Sequence, residues 1–150
     1  MTARTVGVEE EYLLVDPQSG RPRAVAHVAL AAVRDEELTA ELQREQLESA
    51  TRPCATVAEV AAELRRARAA AARAAHAAGA ELAALATSPL AVEPTLSPSE
   101  RYREMGRRFG LTVSEELTCG CHVHVGIDSD DEGVGALDRI RPWLPPLLAQ

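Results

Sequence analysis

Cys119-Gly120-Cys121-His122-Val123-His124-Val125-Gly126-Ile127 is the stretch on which the reading of this chain turns. Its valine and isoleucine content and its position between turn signals predict a buried strand. Successive side chains of a strand point to opposite faces. His122 and His124 therefore share one face, flanked by Gly120 and Gly126. Cys119, Cys121, Val123 and Val125 take the other. Two neighbouring imidazoles with no bulk beside them leave room close to the backbone for a metal, a phosphate or both. A zinc centre of the Cys-x-Cys-His-x-His kind does not fit, because the strand turns its thiols away from its imidazoles.

Working outward, a second strand carries an unusual load of acid. Thr5 to Val15 alternates as a strand, and within it stands Gly7-Val8-Glu9-Glu10-Glu11-Tyr12. Glutamate is poor in strands, so three in a row inside an apolar run need a reason. Period two puts Glu9 and Glu11 on one face with Gly7, and Glu10 on the other with Val8 and Tyr12. Paired carboxylates repel unless a cation neutralises them. Hard cations such as Mg²⁺ or Mn²⁺ take such oxygens and share them with substrate phosphates. An edge strand with solvated glutamates is the plainer alternative. The segment Glu41 to Thr51 is open in the same way. As a helix it aligns Glu41, Glu45 and Glu48 in a solvated stripe. As a strand it sets Gln46, Glu48 and Ala50 on one face.

The remainder is scaffold. Asp16-Pro17-Gln18-Ser19-Gly20 is a turn, Arg21 to Val25 its hairpin return, and Ala26 to Val33 a short helix. Thr56 and Glu59 form a capping box, and the alanine- and arginine-rich helix that follows runs to about Ala78, stopped by Gly79. Its plain reading is a packed helix with a solvated arginine face. Glu81 to Thr87 reads as a strand. Ser97-Pro98-Ser99-Glu100 reads as a second capping box, opening a helix to about Arg108 that Gly110 ends. Glu132 to Arg141 reads as a helix interrupted by Pro142, and the apolar run Trp143 to Ala149 carries no stop signal. His27 and His76 lie in alanine-rich helices and receive no role. Cys54 has no local histidine partner, which argues against a catalytic thiol.

Bulk properties narrow the class. The 150 residues suffice for one domain with a core, and the formal charge of -7 argues against a general nucleic-acid binder. No apolar run is long enough to span a bilayer, and no signal peptide precedes the first strand. Three cysteines do not form a disulfide framework, so a reducing cytoplasm is expected.

In this order the segments resemble the carboxylate–amine ligases of the type 2 glutamate–cysteine ligase family. The matching pieces are Gly7 to Tyr12, Glu41 through Glu48-Ser49-Ala50-Thr51, Tyr102-Arg103 on the capped helix, and Cys121 to Gly126. The resemblance runs over essentially the whole chain. It implies an α+β fold, the glutamine synthetase-like catalytic domain, with an antiparallel sheet and helices on one face. Residues 1–150 would be the N-terminal part of that single domain. Family members are more than twice as long, so it also implies a truncated chain, inactive alone, whose nucleotide-binding residues lie beyond Gln150. Carried over residue by residue, Glu9 and Glu11 match acidic metal ligands of the first strand, and Glu48 and Glu41 the second acidic group. His122 matches a metal-binding histidine. His124 takes the catalytic position that meets the transferred phosphate or the substrate. Tyr102 and Arg103 match a substrate-side position. The implied reaction is ATP-dependent amide formation with Mg²⁺ or Mn²⁺, joining glutamate to an amine such as cysteine through an acyl phosphate. No nucleic-acid or membrane partner is expected, and a sheet with open apolar edges would associate as a homo-oligomer. Two rivals remain: a non-catalytic module in which His122, His124 and a cysteine hold zinc, and a structural protein built on its alanine helix. Metal titration separates them.

Overall fold

A computed structural model describes residues 4–33 and 38–148. Its centre is the long first strand β1 (Val6–Val15). On one flank of β1 lies β3 (Gln46–Ala50), followed outward by β2 (Leu38–Ala40). On the other flank, two strands share the length of β1 end to end. β4 (Glu81–Ala83) pairs with Leu13–Val15, and β5 (Cys121–Val125) pairs with Val6–Glu10. All pairings are antiparallel. With its helices, the chain is α+β.

The alternation along β1 separates two chemistries. Tyr12 and Leu14 point to one face, where they meet Leu38 and Leu47 and the helices α1 (Ala26–Ala32) and α2 (Val57–Ala77). Ala70, Ala71, Ala74 and Ala75 of α2 are buried there. Their short side chains let the helix lie close to the sheet. Glu9, Glu11 and Leu13 take the opposite face. The expectation of helices on one face describes α1 and α2. Beyond them, Leu13 packs with Leu117 and Cys119 on the acidic side, so the segment following α3 (Glu100–Phe109) and α4 (Leu111–Glu115) covers one end of that face. Gln43 ties it down, donating from Nε2 to the carbonyls of Val113 (2.7 Å) and Glu116 (3.1 Å).

The caps follow local rules. Thr56 Oγ1 accepts from the Glu59 amide at 3.2 Å, and the Glu59 carboxylate returns to the Ala55 amide at 2.8 Å. At the other end Gly79 adopts φ +68, a left-handed conformation that a Cβ opposes. Gly79→Ala is expected to lower stability by about 1 kcal/mol, read as a shift in urea midpoint at constant slope.

Several expectations need correction. Arg21 to Val25 forms no hairpin strand; it contributes a single bridge, Val15 to Pro22, where proline has no amide to extend a ladder. The cap of α3 is Ser99, which accepts from the Tyr102 amide at 3.0 Å, so Pro98 precedes the helix. Ser97 instead donates to the Glu41 carbonyl at 2.6 Å. Of Glu81 to Thr87 only the first three residues form the strand, and Thr87 makes a separate bridge to Thr118. β5 is exposed along its whole length rather than buried. The interruption expected at Pro142 is present: α5 (Asp130–Ile140) gives way to a 3-10 turn, Arg141–Trp143, whose first turn admits the proline, and α6 (Leu144–Leu148) follows. Ala149 and Gln150, at the end of the apolar run, lie outside the described residues. Among the described residues, no helix is long and apolar enough to cross a membrane.

Candidate metal and phosphate face

The register of the sheet assembles the acidic face. Glu11 stands directly opposite Glu48, and Glu9 directly opposite His122. His124 stands opposite Gly7, which has no side chain to crowd it. Directly opposed residues of an antiparallel pair share a face. Glu9, Glu11, Glu48, His122 and His124 therefore line one surface, drawn from three strands far apart in sequence. The segment that was open between helix and strand is a strand at Gln46–Ala50, which turns Glu48 onto this surface.

Glu9 is the hub. Its Oε2 lies 2.8 Å from His124 Nε2 and 3.7 Å from His122 Nδ1. Glu11 Oε2 accepts from the Gly120 amide at 2.8 Å, and the Gly120 carbonyl accepts from the Glu11 amide at 3.0 Å. Thr39, opposite Glu48 on β2, donates to Glu48 Oε2 at 3.2 Å. The Glu48 carboxyl is pushed above its usual range. Burial is the first cause, and the negative charges of Glu41, Glu9 and Glu11 add to it. Glu41 follows the last residue of β2 and reaches this surface through its field rather than a bond. Burial also raises the Tyr102 phenol, with the negative charges of Glu41, Glu48 and Glu11 contributing. Arg103 points elsewhere: its guanidinium pairs with Glu100 one turn back, at 2.8 Å, and both side chains are exposed. On α3 it is Arg101 whose guanidinium stacks over Tyr102, at 5.6 Å from the ring centre.

The two glycine flanks differ. A Cβ at Gly120 would sit 2.7 Å from His122 Nε2, so the imidazole folds back over that glycine and fills its space. At the other end Thr5 closes on Gly126, where a Cβ would sit 3.0 Å from its Oγ1, but space remains beside His124. A cavity of about 310 Å³ is lined by Gly7, Glu9, Thr51, His124 and Gly126, among others.

The cysteines stay out of this arrangement. Cys121 faces the helix side, opposite Glu10. Cys119 departs from the expected alternation. Gly120 precedes the regular strand, so Cys119 turns toward Leu13 and receives a hydrogen bond from Gln46 Nε2 at 3.4 Å. Burial pushes its thiol up to about 11, leaving it neutral. Among the described residues no group of three or more histidine, cysteine or acidic side chains is already drawn together tightly enough to hold an ion. The acidic side chains share a surface without converging on one point. Sequence reasoning missed Thr39 and the Gly120 amide, since both depend on register that no local motif carries.

Residues 5–150 match the glutamate-cysteine ligase family 2 (GCS2), and the chain belongs to that family. A Streptomyces avermitilis protein named "Putative glutamate–cysteine ligase 2-1" is 50% identical over 151 residues, covering 97% of this chain and 42% of the relative. A Streptomyces coelicolor protein named "Putative glutamate–cysteine ligase 2" is 48% identical over 151 residues, with the same coverage, 97% and 42%. A Paenarthrobacter aurescens protein of the same printed kind, 2-3, is 50% identical over 149 residues, covering 97% of this chain and 35% of itself. The chain thus spans about two fifths of the length of curated relatives it matches.

Proposed function

We propose that this chain supplies the metal- and phosphate-facing surface of an ATP-dependent carboxylate–amine ligase of the glutamate–cysteine ligase type, built on a glutamine synthetase-like domain. The observation that carries the reading is the gathering of Glu9, Glu11 and Glu48 with His122 and His124 on one open sheet face. The donor chemistry suits a hard cation. Three carboxylates share the surface, burial and then the neighbouring negative charges raise Glu48, and the thiols that would favour zinc are buried or turned away.

In this reading Glu9, Glu11, Glu48 and His122 hold Mg²⁺ or Mn²⁺, with Glu41 adding charge from the rim. Bound there, the ion would neutralise phosphate charge and let two anions approach. A carboxylate of glutamate attacks the terminal phosphorus of ATP and ADP leaves. The acyl phosphate is then attacked by an amine, cysteine being the proposed acceptor, giving the amide and inorganic phosphate. His124, which lines the open cavity, would donate from Nε2 to the transferred phosphate. Tyr102 presents its raised, neutral phenol as a hydrogen-bond donor to the substrate. Positioning and charge stabilisation carry such chemistry, so no protein nucleophile is needed. The proposed setting is the reducing cytoplasm, in keeping with three free cysteines.

Mn²⁺ titration of the 150-residue chain, followed by electron paramagnetic resonance, tests the site. Mn²⁺ is expected to bind weakly, to be displaced by Mg²⁺, and to be lost in Glu11→Gln. Tight zinc binding with a thiolate absorption band would instead support the cysteine-based module. With ATP, Mg²⁺, glutamate and cysteine, the chain alone is expected to release no ADP. Turnover dependent on both amino acids would overturn that expectation.

A further inference from the structure

The reverse side of the acidic strand carries a network that the reaction itself does not use. Glu10 is buried between the sheet and α2. Arg68 of α2 grips it with both ends of its guanidinium, Nε to Oε2 at 2.8 Å and Nη2 to Oε1 at 2.6 Å. Tyr12 donates its hydroxyl to Glu10 Oε2 at 2.9 Å and lies 3.0 Å from Ser49 Oγ. Ser49 is the cross-strand partner of Glu10. The group therefore sits directly beneath Glu9, Glu11 and Glu48, on the other side of the same backbone.

One flank of β1 is broken at this point. β5 ends its pairing at Glu10, and β4 begins its own at Leu13. Between them, one flank of β1 is held by the bond from the Glu11 amide to the Gly120 carbonyl. A cavity of about 590 Å³ opens in the gap, lined by Glu10, Glu11, Arg68, Gly120 and Cys121 among others. The other flank of β1 is paired with β3 from Glu9 to Leu13. At the break the fork of Arg68 supplies the missing restraint from below.

We infer that Arg68 is a positioning residue for the metal face, acting through Glu10 to hold the Glu9–Glu11 segment so that its outward carboxylates meet Glu48 and the Gly120 amide. This rests on the metal reading of that face. A guanidinium is suited to the task because its planar fork fixes both carboxylate oxygens at once. Without it, Glu10 is a carboxylate with one hydroxyl partner, at the edge of the break between β5 and β4.

The test compares Arg68→Met with Arg73→Gly, an exposed change that loosens the same helix without touching Glu10. Two readouts are taken on the folded 150-residue chain. The first is Mn²⁺ affinity, expected to fall at least fivefold in Arg68→Met and to stay within twofold of wild type in Arg73→Gly. Arg68→Lys, which keeps the charge and loses the fork, is expected to lie between. The second needs no metal: exchange of the Gly120 amide proton, bonded to Glu11, is expected to speed up at least tenfold in Arg68→Met and not in Arg73→Gly. Unchanged Gly120 exchange in folded Arg68→Met overturns the positioning role, whatever the metal result. Equal changes in both variants overturn it as well, because they would report helix stability alone. A wild-type chain that binds no Mn²⁺ while Gly120 responds as expected would sink the metal reading and leave the restraint standing.

Discussion

In a ligation-competent protein carrying these residues, Glu9→Gln and His122→Ala are each expected to reduce ATP-dependent ligation at least a hundredfold while leaving the fold intact. Glu9 lies at the centre of the acidic face, with one carboxylate oxygen within 2.8 Å of His124 and 3.7 Å of His122. Removing its charge takes away a proposed metal ligand and the carboxylate that lies against both imidazoles. Charge stabilisation of that kind is worth several kcal/mol in phosphoryl chemistry, and about 1.4 kcal/mol corresponds to each factor of ten. Both positions are at the surface, and neither side chain packs into a core cluster, so thermal unfolding should move little. Glu10→Gln should do far less to turnover, since its side chain points to the helices and an amide can still accept from Arg68. ADP release coupled to amide formation measures all three. Equal losses at Glu9 and Glu10 would contradict the observed register.

The second large effect is on stability, and it depends on pH. The Arg68 guanidinium, followed by the Tyr12 hydroxyl, holds the Glu10 carboxyl below its usual range, against the cost of burial. A depressed folded-state pKa means that the unfolded chain takes up the proton first as pH falls. The stabilisation from this pair is therefore complete above about 4.5, the ordinary glutamate value. It is lost as pH drops toward and through the lower folded-state value. Its size is intermediate. Glu10 has 8% of its side chain exposed and Arg68 has 55%, so solvent screens one partner only. About 2 kcal/mol is expected on breaking the pair with Arg68→Met at pH 7. Urea unfolding at pH 7 and pH 4 measures it. The wild type should lose more stability between the two than Glu10→Gln does. Parallel losses would show that Glu10 is not linked to folding.

The sequence displayed the two faces of β1 clearly, because a period of two is strict and three glutamates expose it. It displayed both long-helix boundaries for a similar reason: Thr56, Glu59 and Gly79 act through bonds and angles a few residues away. The alternation around His122 and His124 was legible, but the position of Cys119 was not. Gly120 breaks the strand there, and the thiol follows a tertiary contact with Leu13 and Gln46. The arginine-rich face of α2 read as solvated, yet Arg68 is the partner of Glu10. Nothing local distinguishes it from Arg65 or Arg73, since its role depends on a carboxylate 58 residues away. Arg103 pairs with Glu100 on its own helix, an i,i+3 contact that the motif around Tyr102 does not announce.

The end-to-end sharing of one flank of β1 by β4 and β5 also bears on how the chain emerges during synthesis. β1 lies at residues 6–15, and its partner at 121–125 is made more than a hundred residues later. Until then the N-terminal half of an apolar strand has one bare edge, the kind of template on which nascent chains join one another. Closing so long a loop is slow, so the exposure lasts. Glu9, Glu10 and Glu11 stand in that waiting stretch. Their mutual repulsion opposes in-register stacking with another copy, as gatekeeper charges do. Glu9 and Glu11, proposed to serve chemistry in the finished fold, and Glu10, buried beneath them, thus double as protective charge before the fold exists.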